Sequence, residues 1–175
     1  MDSFLGPGQI ITFCTFRKNE LLLLGGKSLI RRNAPVEEYT NCKQNLCIYN
    51  IEDKQWSTMD VDSEAQFHLQ RSQFGCSMMY PLVFITGGLR RGLNKEFEAM
   101  DISELIILNL QTKKVRKTKL KGLETLPKLF AVSLTQRPTT TRTELLLFGG
   151  SSLDRDALSS DQYKKSESYY WIYPD

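Results

Sequence analysis

His68 is the chain's one histidine, and it lies in the polar stretch DSEAQFHLQ, residues 62–70. A lone imidazole can move a proton, but zinc sites take three or four ligands. No Cys/His pair at ligand or nucleophile spacing accompanies it. His68 therefore reads as a solvated histidine in a connecting loop. Cys14, Cys42, Cys47 and Cys76 stand 28, 5 and 29 residues apart, a spacing that fits neither a disulfide framework nor a zinc site. Cys14, Cys47 and Cys76 fall in strand-like segments, where a buried thiol is the ordinary state, and a reducing cytoplasm fits them best. The acidic stretches PVEEYTNC (35–42) and FEAMDISE (97–104) hold carboxylates, but nothing in their spacing pairs two of them for acid–base work. Lys27-Ser28 follows Gly25-Gly26, yet the GxxxxGK spacing of a phosphate loop is missing. The expectation is a chain with no catalytic residue, no metal and no cofactor.

Two sets of cations remain. KKVRKTKLKG, residues 113–122, places six cations within nine residues, enough to grip a phosphate backbone. Val115, Thr118 and Leu120 interleave with them, and no aromatic stacking platform for single strands accompanies the run. Lysines also guard an exposed strand edge against aggregation, so the run reads as an edge strand and nucleic acid is not favoured as a partner. The net charge of +3 implies no polyanionic partner either. No apolar run approaches the ~18 residues of a membrane span, and no basic stretch precedes an apolar run at the N-terminus.

The second set of cations is carried by a repeat. ELLLLGG (20–26), LVFITGG (82–88) and ELLLFGG (144–150) each drive an apolar run into a glycine pair. The pairs start at Gly25, Gly87 and Gly149, so both steps are 62 residues, the mark of a repeat architecture. Cys14 and Cys76 each stand eleven residues before their glycines. Treating RPTTTR (137–142) as an insertion lays Phe130-Ala131-Val132 over Phe74-Gly75-Cys76. Downstream, LCIYNIED (46–53) matches LIILNLQT (105–112), and YYWIYPD (169–175) matches loosely. Segments 10–16, 20–25, 46–51, 74–80, 82–87, 105–110, 129–135 and 144–149 are short and rich in β-branched, leucine and aromatic residues, which predicts strands. The runs before the glycines do not alternate, so those strands are covered on both faces. Each copy reads as strand a, a tight turn, strand b ending in Gly-Gly, a long connection, strand c, a short turn and strand d. The composition, 41% apolar with eleven glycines, suits one domain over residues 1–175, with copies at about 9–62, 71–121 and 128–175.

Apolar-apolar-Gly-Gly, followed by an apolar strand and then a tryptophan after a short polar turn (IYNIEDKQW, 48–56), resembles the kelch repeat. The resemblance runs from about residue 9 to 175. It implies an all-β fold, a partial kelch-type β-propeller of about three four-stranded antiparallel blades. The structural positions that it carries over are Gly25, Gly26, Gly87, Gly88, Gly149, Gly150, Tyr49 and Trp56. Copy two has Leu108 and Val115 where copy one has Tyr49 and Trp56. Kelch blades usually wedge that tryptophan against the next blade. Glycine at the end of strand b permits a sharp exit and a close backbone approach. Copy three reaches Asp175 before any strand d. The foremost expectation is a fragment of a longer propeller, ahead of self-association into about six blades or an open arc.

What remains for function is recognition by the b–c connections, 27–45, 89–104 and 151–168, which share one face and far exceed the usual ~4–6 residues. They carry Arg31, Arg32, Arg90, Arg91 and Arg155 with Tyr39, Phe97 and Tyr163, the residue types that most often anchor an interface. Kelch relatives mostly hold other proteins on that face. The expectation is a non-catalytic protein-binding module whose arginine forks take an acidic segment of another protein. The alternative is the remnant of a propeller enzyme acting on sugars or small molecules.

Overall fold

The computed structural model describes residues 10–17, 19–31, 38–41, 46–92, 96–137, 143–153, 163–165 and 169–174. The chain opens with β1 (Ile10–Arg17), β2 (Glu20–Arg31), β3 (Glu38–Asn41), β4 (Leu46–Asn50) and β5 (Gln55–Met59). After α1 (Ser63–Leu69) come β6 (Gly75–Met79), β7 (Leu82–Thr86), β8 (Leu89–Arg91), β9 (Phe97–Ala99), β10 (Glu104–Asn109) and β11 (Lys114–Lys119). The last group is β12 (Ser133–Arg137), β13 (Glu144–Phe148), β14 (Ser151–Leu153), β15 (Tyr163–Lys165) and β16 (Tyr169–Ile172). They form three antiparallel meanders, ordered β1-β2-β4-β5, β6-β7-β10-β11 and β12-β13-β16. The first strands of successive sheets are neighbours, β1 beside β6 and β6 beside β12.

The unbroken apolar runs follow from this stacking. Val83, Phe84, Ile85 and Thr86 are all buried, because β7 lies inside its sheet and that sheet lies between the other two. Leu22, Leu24 and Leu46 of the first sheet meet Phe74, Val83, Ile85, Ile106 and Leu108 of the second. On the other side, Phe84, Leu105 and Ile107 meet Leu134, Leu145, Leu147 and Ile172 of the third. Each such side chain stabilises the fold by roughly 1.5–3 kcal/mol. The core between sheets is therefore mainly aliphatic, with Phe74 and Phe84 as its buried aromatic members. Trp56 packs instead across its own strand pair on Tyr49, with ring centroids 4.8 Å apart.

The turns after β4 and β10 are built alike. Asn50 Oδ1 accepts from the backbone N–H of Glu52 and Asp53, and Asn109 Oδ1 accepts from Gln111 and Thr112. Lys54 and Lys113 then take left-handed φ values of 53° and 61°. Basic β11 is an edge strand with Lys114, Arg116, Lys117 and Lys119 exposed and Val115 and Thr118 half-buried.

Three expectations are corrected. The connections after the glycines are not open loops. β2 runs on past Gly26 and pairs with β3, β8 pairs with β9, and β14 pairs with β15. Backbone groups leaving the main sheet thereby satisfy one another. Residues 63–69 are a helix, capped by Asp62, whose side chain accepts from the Ala65 N–H. The third copy is shifted by two residues. Ser133 opposes Phe148 as Gly75 opposes Thr86, so Val132, not Phe130, occupies the place of Phe74. The extra length lies in residues 138–143, between β12 and β13, where the second copy has only Tyr80-Pro81.

The glycine pairs adopt one conformation three times, with φ of 55° and 105°, 65° and 96°, and 68° and 106°. The second glycine of each of the first two pairs donates to a carbonyl at the start of the next copy. Gly26 N–H reaches Arg71 O at 2.7 Å, and Gly88 N–H reaches Leu129 O at 2.9 Å. A Cβ on Gly25 would run into the carbonyl oxygens of Arg71 and Leu69, and one on Gly87 would lie 2.7 Å from Leu129 O. Gly122 also has a positive φ, 82°, but nothing within 4 Å of the Cβ position. It therefore isolates backbone strain from collision. Gly122→Ala should cost about 1–2 kcal/mol, the left-handed penalty alone. Gly87→Ala should cost ~1–3 kcal/mol beyond that, as overpacking does. Urea unfolding of the two variants measures the difference, and equal losses would contradict the close-approach explanation.

Candidate functional site

The three ribbons that follow the glycine pairs stand side by side at one end of the stacked sheets. β3 is adjacent to β8, and β9 is adjacent to β14. Each ribbon begins directly after its glycines, so the stapling of Gly26 and Gly88 to the next copy also sets the ribbons in a row. Apolar contacts fasten them: Leu89, Ala99 and Phe130 cluster with Phe97 and Leu153. The Lys27 ammonium lies 5.8 Å from the Phe97 ring centroid, linking the first ribbon to the second.

The expected binding residues are distributed unevenly over this row. Arg31 ends β2 opposite Glu38, and Tyr39 lies in β3 opposite Leu29. Tyr163 lies in β15 opposite Leu153. Arg32 and Arg155 lie outside the described residues. Phe97, half-buried, faces Arg91 across β8–β9. Arg91 is itself half-buried and engaged within the fold. Arg90 is an internal anchor: its guanidinium carbon stacks 3.8 Å from the Phe67 ring centroid, and Nη2 donates to Phe67 O at 2.8 Å. Burial pulls the Arg90 pKa down, partly countered by Glu104.

Beneath the middle ribbon sits a polar cluster that the repeat pattern does not foretell. Arg71 is 1% exposed. Its Nε donates to His68 O at 2.7 Å and its Nη1 to Gly87 O at 3.2 Å. Burial, and then repulsion from Arg90, lowers its pKa to about 10, against the pull of Glu104. Thr86 Oγ1 lies 2.9 Å from Ile102 O and 3.2 Å from Glu104 O. Glu104 also meets Lys117 at 3.8 Å. His68 is buried, not solvated, because α1 turns Ala65, His68 and Leu69 inward. The signal for this face is present in the sequence: Val61, Ala65, His68 and Leu69 recur at i, i+4, i+7 and i+8. Arg71 carries no such signal, since the third copy has Leu129 at the equivalent place. Among the described residues no three His, Cys, Asp or Glu side chains come together in a way that would hold a metal ion. Cys47 is buried and Cys76 half-buried, and burial raises the Cys47 pKa, which disfavours its thiolate.

A further surface emerges from the repeat register. Leu22 pairs with Ile48, Phe84 with Ile107, and Leu146 with Trp171. The first two pairs pack against the following sheet. The third pair has no following sheet among the described residues, and beside it Phe148, Tyr169 and Trp171 are 54%, 67% and 41% exposed. No helix among the described residues is long and apolar enough to cross a membrane. No protein-family model matches this chain, and no curated protein matches it in sequence.

His68 generates a pH prediction. Burial lowers its pKa first, helped by Arg71, Lys117 and Arg90 and opposed by Glu104; Glu64 lies 4.0 Å from Nε2. A base with a depressed folded pKa is neutral when folded and protonates more readily when unfolded. Its contribution is complete above the unfolded value of about 6.5 and is lost as pH falls below it. Stability measured by urea unfolding should therefore drop between pH 7.5 and 5.5, by at most ~1.4 kcal/mol per pH unit for one proton. His68→Gln should flatten that slope, and an unchanged slope would contradict the assignment.

Proposed function

We propose that this protein is a non-catalytic protein-binding module built as a partial kelch-type propeller, with the three ribbons as its binding face. One observation carries the reading: the described residues after the glycine pairs form adjacent two-stranded ribbons, β2–β3, β8–β9 and β14–β15. A row of fixed ribbons presents arginines and aromatics with less conformational entropy to lose on binding than free loops would have. The sheet order, with β1, β6 and β12 side by side, supports the propeller assignment. Arg31, Arg32 and Arg155 are the arginines assigned to the partner, together with Tyr39 and Tyr163. Arg90 holds the ribbon in place through Phe67, Arg91 is engaged within the fold, and Phe97 cements the row. A partner presenting Asp, Glu or phosphorylated residues suits guanidinium forks. The buried thiol of Cys47 suits a reducing cytoplasm. Against the alternative of an enzyme remnant stands the environment of His68, which is packed beneath the ribbons with its imidazole beside Arg71.

The exposed aromatic face of the third sheet supports a second contact. Its occupant, on this reading, is a further antiparallel sheet of the same repeat type, because Leu146 and Trp171 hold the register positions that Leu22, Ile48, Phe84 and Ile107 use to bury the next sheet. A further sheet there would meet an interface already continuous across the first two copies.

The ribbon face is tested with a fluorescent peptide rich in Glu and phosphoserine. Binding should weaken with salt and fall at least tenfold, about 1.4 kcal/mol, in the Arg31→Glu, Arg32→Glu, Arg155→Glu variant, with thermal stability nearly unchanged. Trp171→Asp should leave peptide binding intact while abolishing any self-association seen by light scattering. Equal peptide affinity in the charge-reversed variant would overturn the ribbon assignment.

A further inference from the structure

Among the described residues the third meander has one strand fewer than the other two. In the first, β4 lies between β2 and β5, and in the second, β10 lies between β7 and β11. β16 holds the same place in the third, paired with β13 along Tyr169–Ile172, and no described strand lies on its far edge. An open edge presents a row of unpaired backbone N–H and C=O groups. Lysines and an arginine line the edge strand β11 and guard it against a further strand. β16 reads YYWI, aromatic and uncharged, and has no such guard.

A cleft of about 290 Å³ adjoins this edge, with Lys119, Leu120, Lys121 and Leu123 on one wall and Trp171 and Ile172 on the other. Successive side chains of a strand point to opposite faces of its sheet. Trp171 and Ile172 nevertheless both border the cleft, so it meets β16 edge-on. Its volume is about twice the ~150 Å³ that admits benzene, which is room for two side chains of medium size. Lys119 and Lys121 are exposed, while Leu120, Leu123 and Ile172 are buried. Cation and leucine thus alternate along the wall that an added strand would face. No carboxylate among the described residues lines the cleft.

We propose that the free edge of β16 is a docking site for an extended acidic segment of a partner protein, which adds as the fourth strand of the third sheet. Main-chain bonds to β16 supply affinity, and alternate side chains supply specificity. Apolar residues of the segment rest on Leu120, Leu123 and Ile172, and its Asp or Glu residues pair with Lys119 and Lys121. A second copy of the chain is a poor occupant. Its own acidic–apolar alternations among the described residues, MDVD (59–62) and EFEA (96–99), are already built into the β5–α1 junction and into β9. The site is an edge, distinct from the exposed aromatic face of the same sheet, and it does not rest on the ribbon reading.

The test uses a labelled peptide of alternating Glu and Val, as long as β11. Fluorescence anisotropy should show binding that weakens with salt. The Lys119→Glu, Lys121→Glu variant should weaken it at least tenfold with the fold intact, since exposed lysines contribute little to stability. Of two peptides N-methylated at alternate residues in opposite phase, one should lose binding and the other keep it, because only one edge of the added strand faces β16. The peptide should also slow hydrogen exchange at the outward amides of Tyr169–Ile172. That slowing should persist in the Arg31→Glu, Arg32→Glu, Arg155→Glu variant, so failure of the ribbon face and failure of this edge are read separately. Absence of binding would overturn the proposal, as would binding indifferent to the lysine variant or to the methylation phase. Outward amides already slow in the free monomer would mean that the chain covers its own edge, and slowing with protein concentration alone would make the occupant a second copy; either result also overturns it.

Discussion

The structure turns on how closely two backbones may approach. At Gly25 within β2, and again at Gly87 just past β7, the chain passes so near the start of the next copy that no Cβ fits between them. Gly26 and Gly88 each use the space to donate a hydrogen bond across the gap. Hydrophobic burial drives the sheets together, but it is non-directional and would tolerate sliding. The glycine contact fixes where one sheet sits on the next. A second bond, from Ala131 N–H to Gln73 O at 2.6 Å, joins two residues held at equivalent left-handed positions, with φ of 53° and 55°. Spacing between copies is thus set by backbone, and the aliphatic core fills the interval that results.

The same contact positions the candidate site. The carbonyl that receives the Gly26 bond belongs to Arg71, whose side chain runs under the next glycine pair to Gly87 O. One residue therefore touches the exits of both the first and the second sheet. Arg90, three residues past Gly87, repeats the tactic by clamping Phe67 of α1. The ribbons are consequently held from below by cations and from the side by Phe97, Leu89, Phe130 and Leu153. Polar groups at such density are costly when unmet, which concentrates the chemical interest of the molecule at this joint.

Much of this was legible from residue order. A non-alternating apolar run cut off by Gly-Gly can only be a two-sided strand with a crowded exit, and LVFITGG behaves as such. Asn50 and Asn109, each four residues before a lysine, foretell the paired turns with little ambiguity. Local likeness misled at Phe130-Ala131, whose resemblance to Phe74-Gly75 hides a two-residue shift that only strand pairing reveals. The ribbons escaped because short segments such as LRR and FEA have no period of their own and pair only once their roots are fixed. The α1 face was written in Val61, Ala65, His68 and Leu69, but seven residues amid polar neighbours give a weak pattern. Arg71 could not be found by repeat comparison at all, because Leu129 receives the same backbone bond without a charge.

The claim that backbone stapling sets the stack is tested most directly by native-state amide hydrogen exchange. If the Gly26 and Gly88 N–H groups are bonded across the sheets, they open only when the sheets separate, and they should exchange as slowly as the Val83 and Ile85 amides of β7. Exchange at those two glycines orders of magnitude faster than in β7 would show that the sheets stay together without the staple, and would contradict the account.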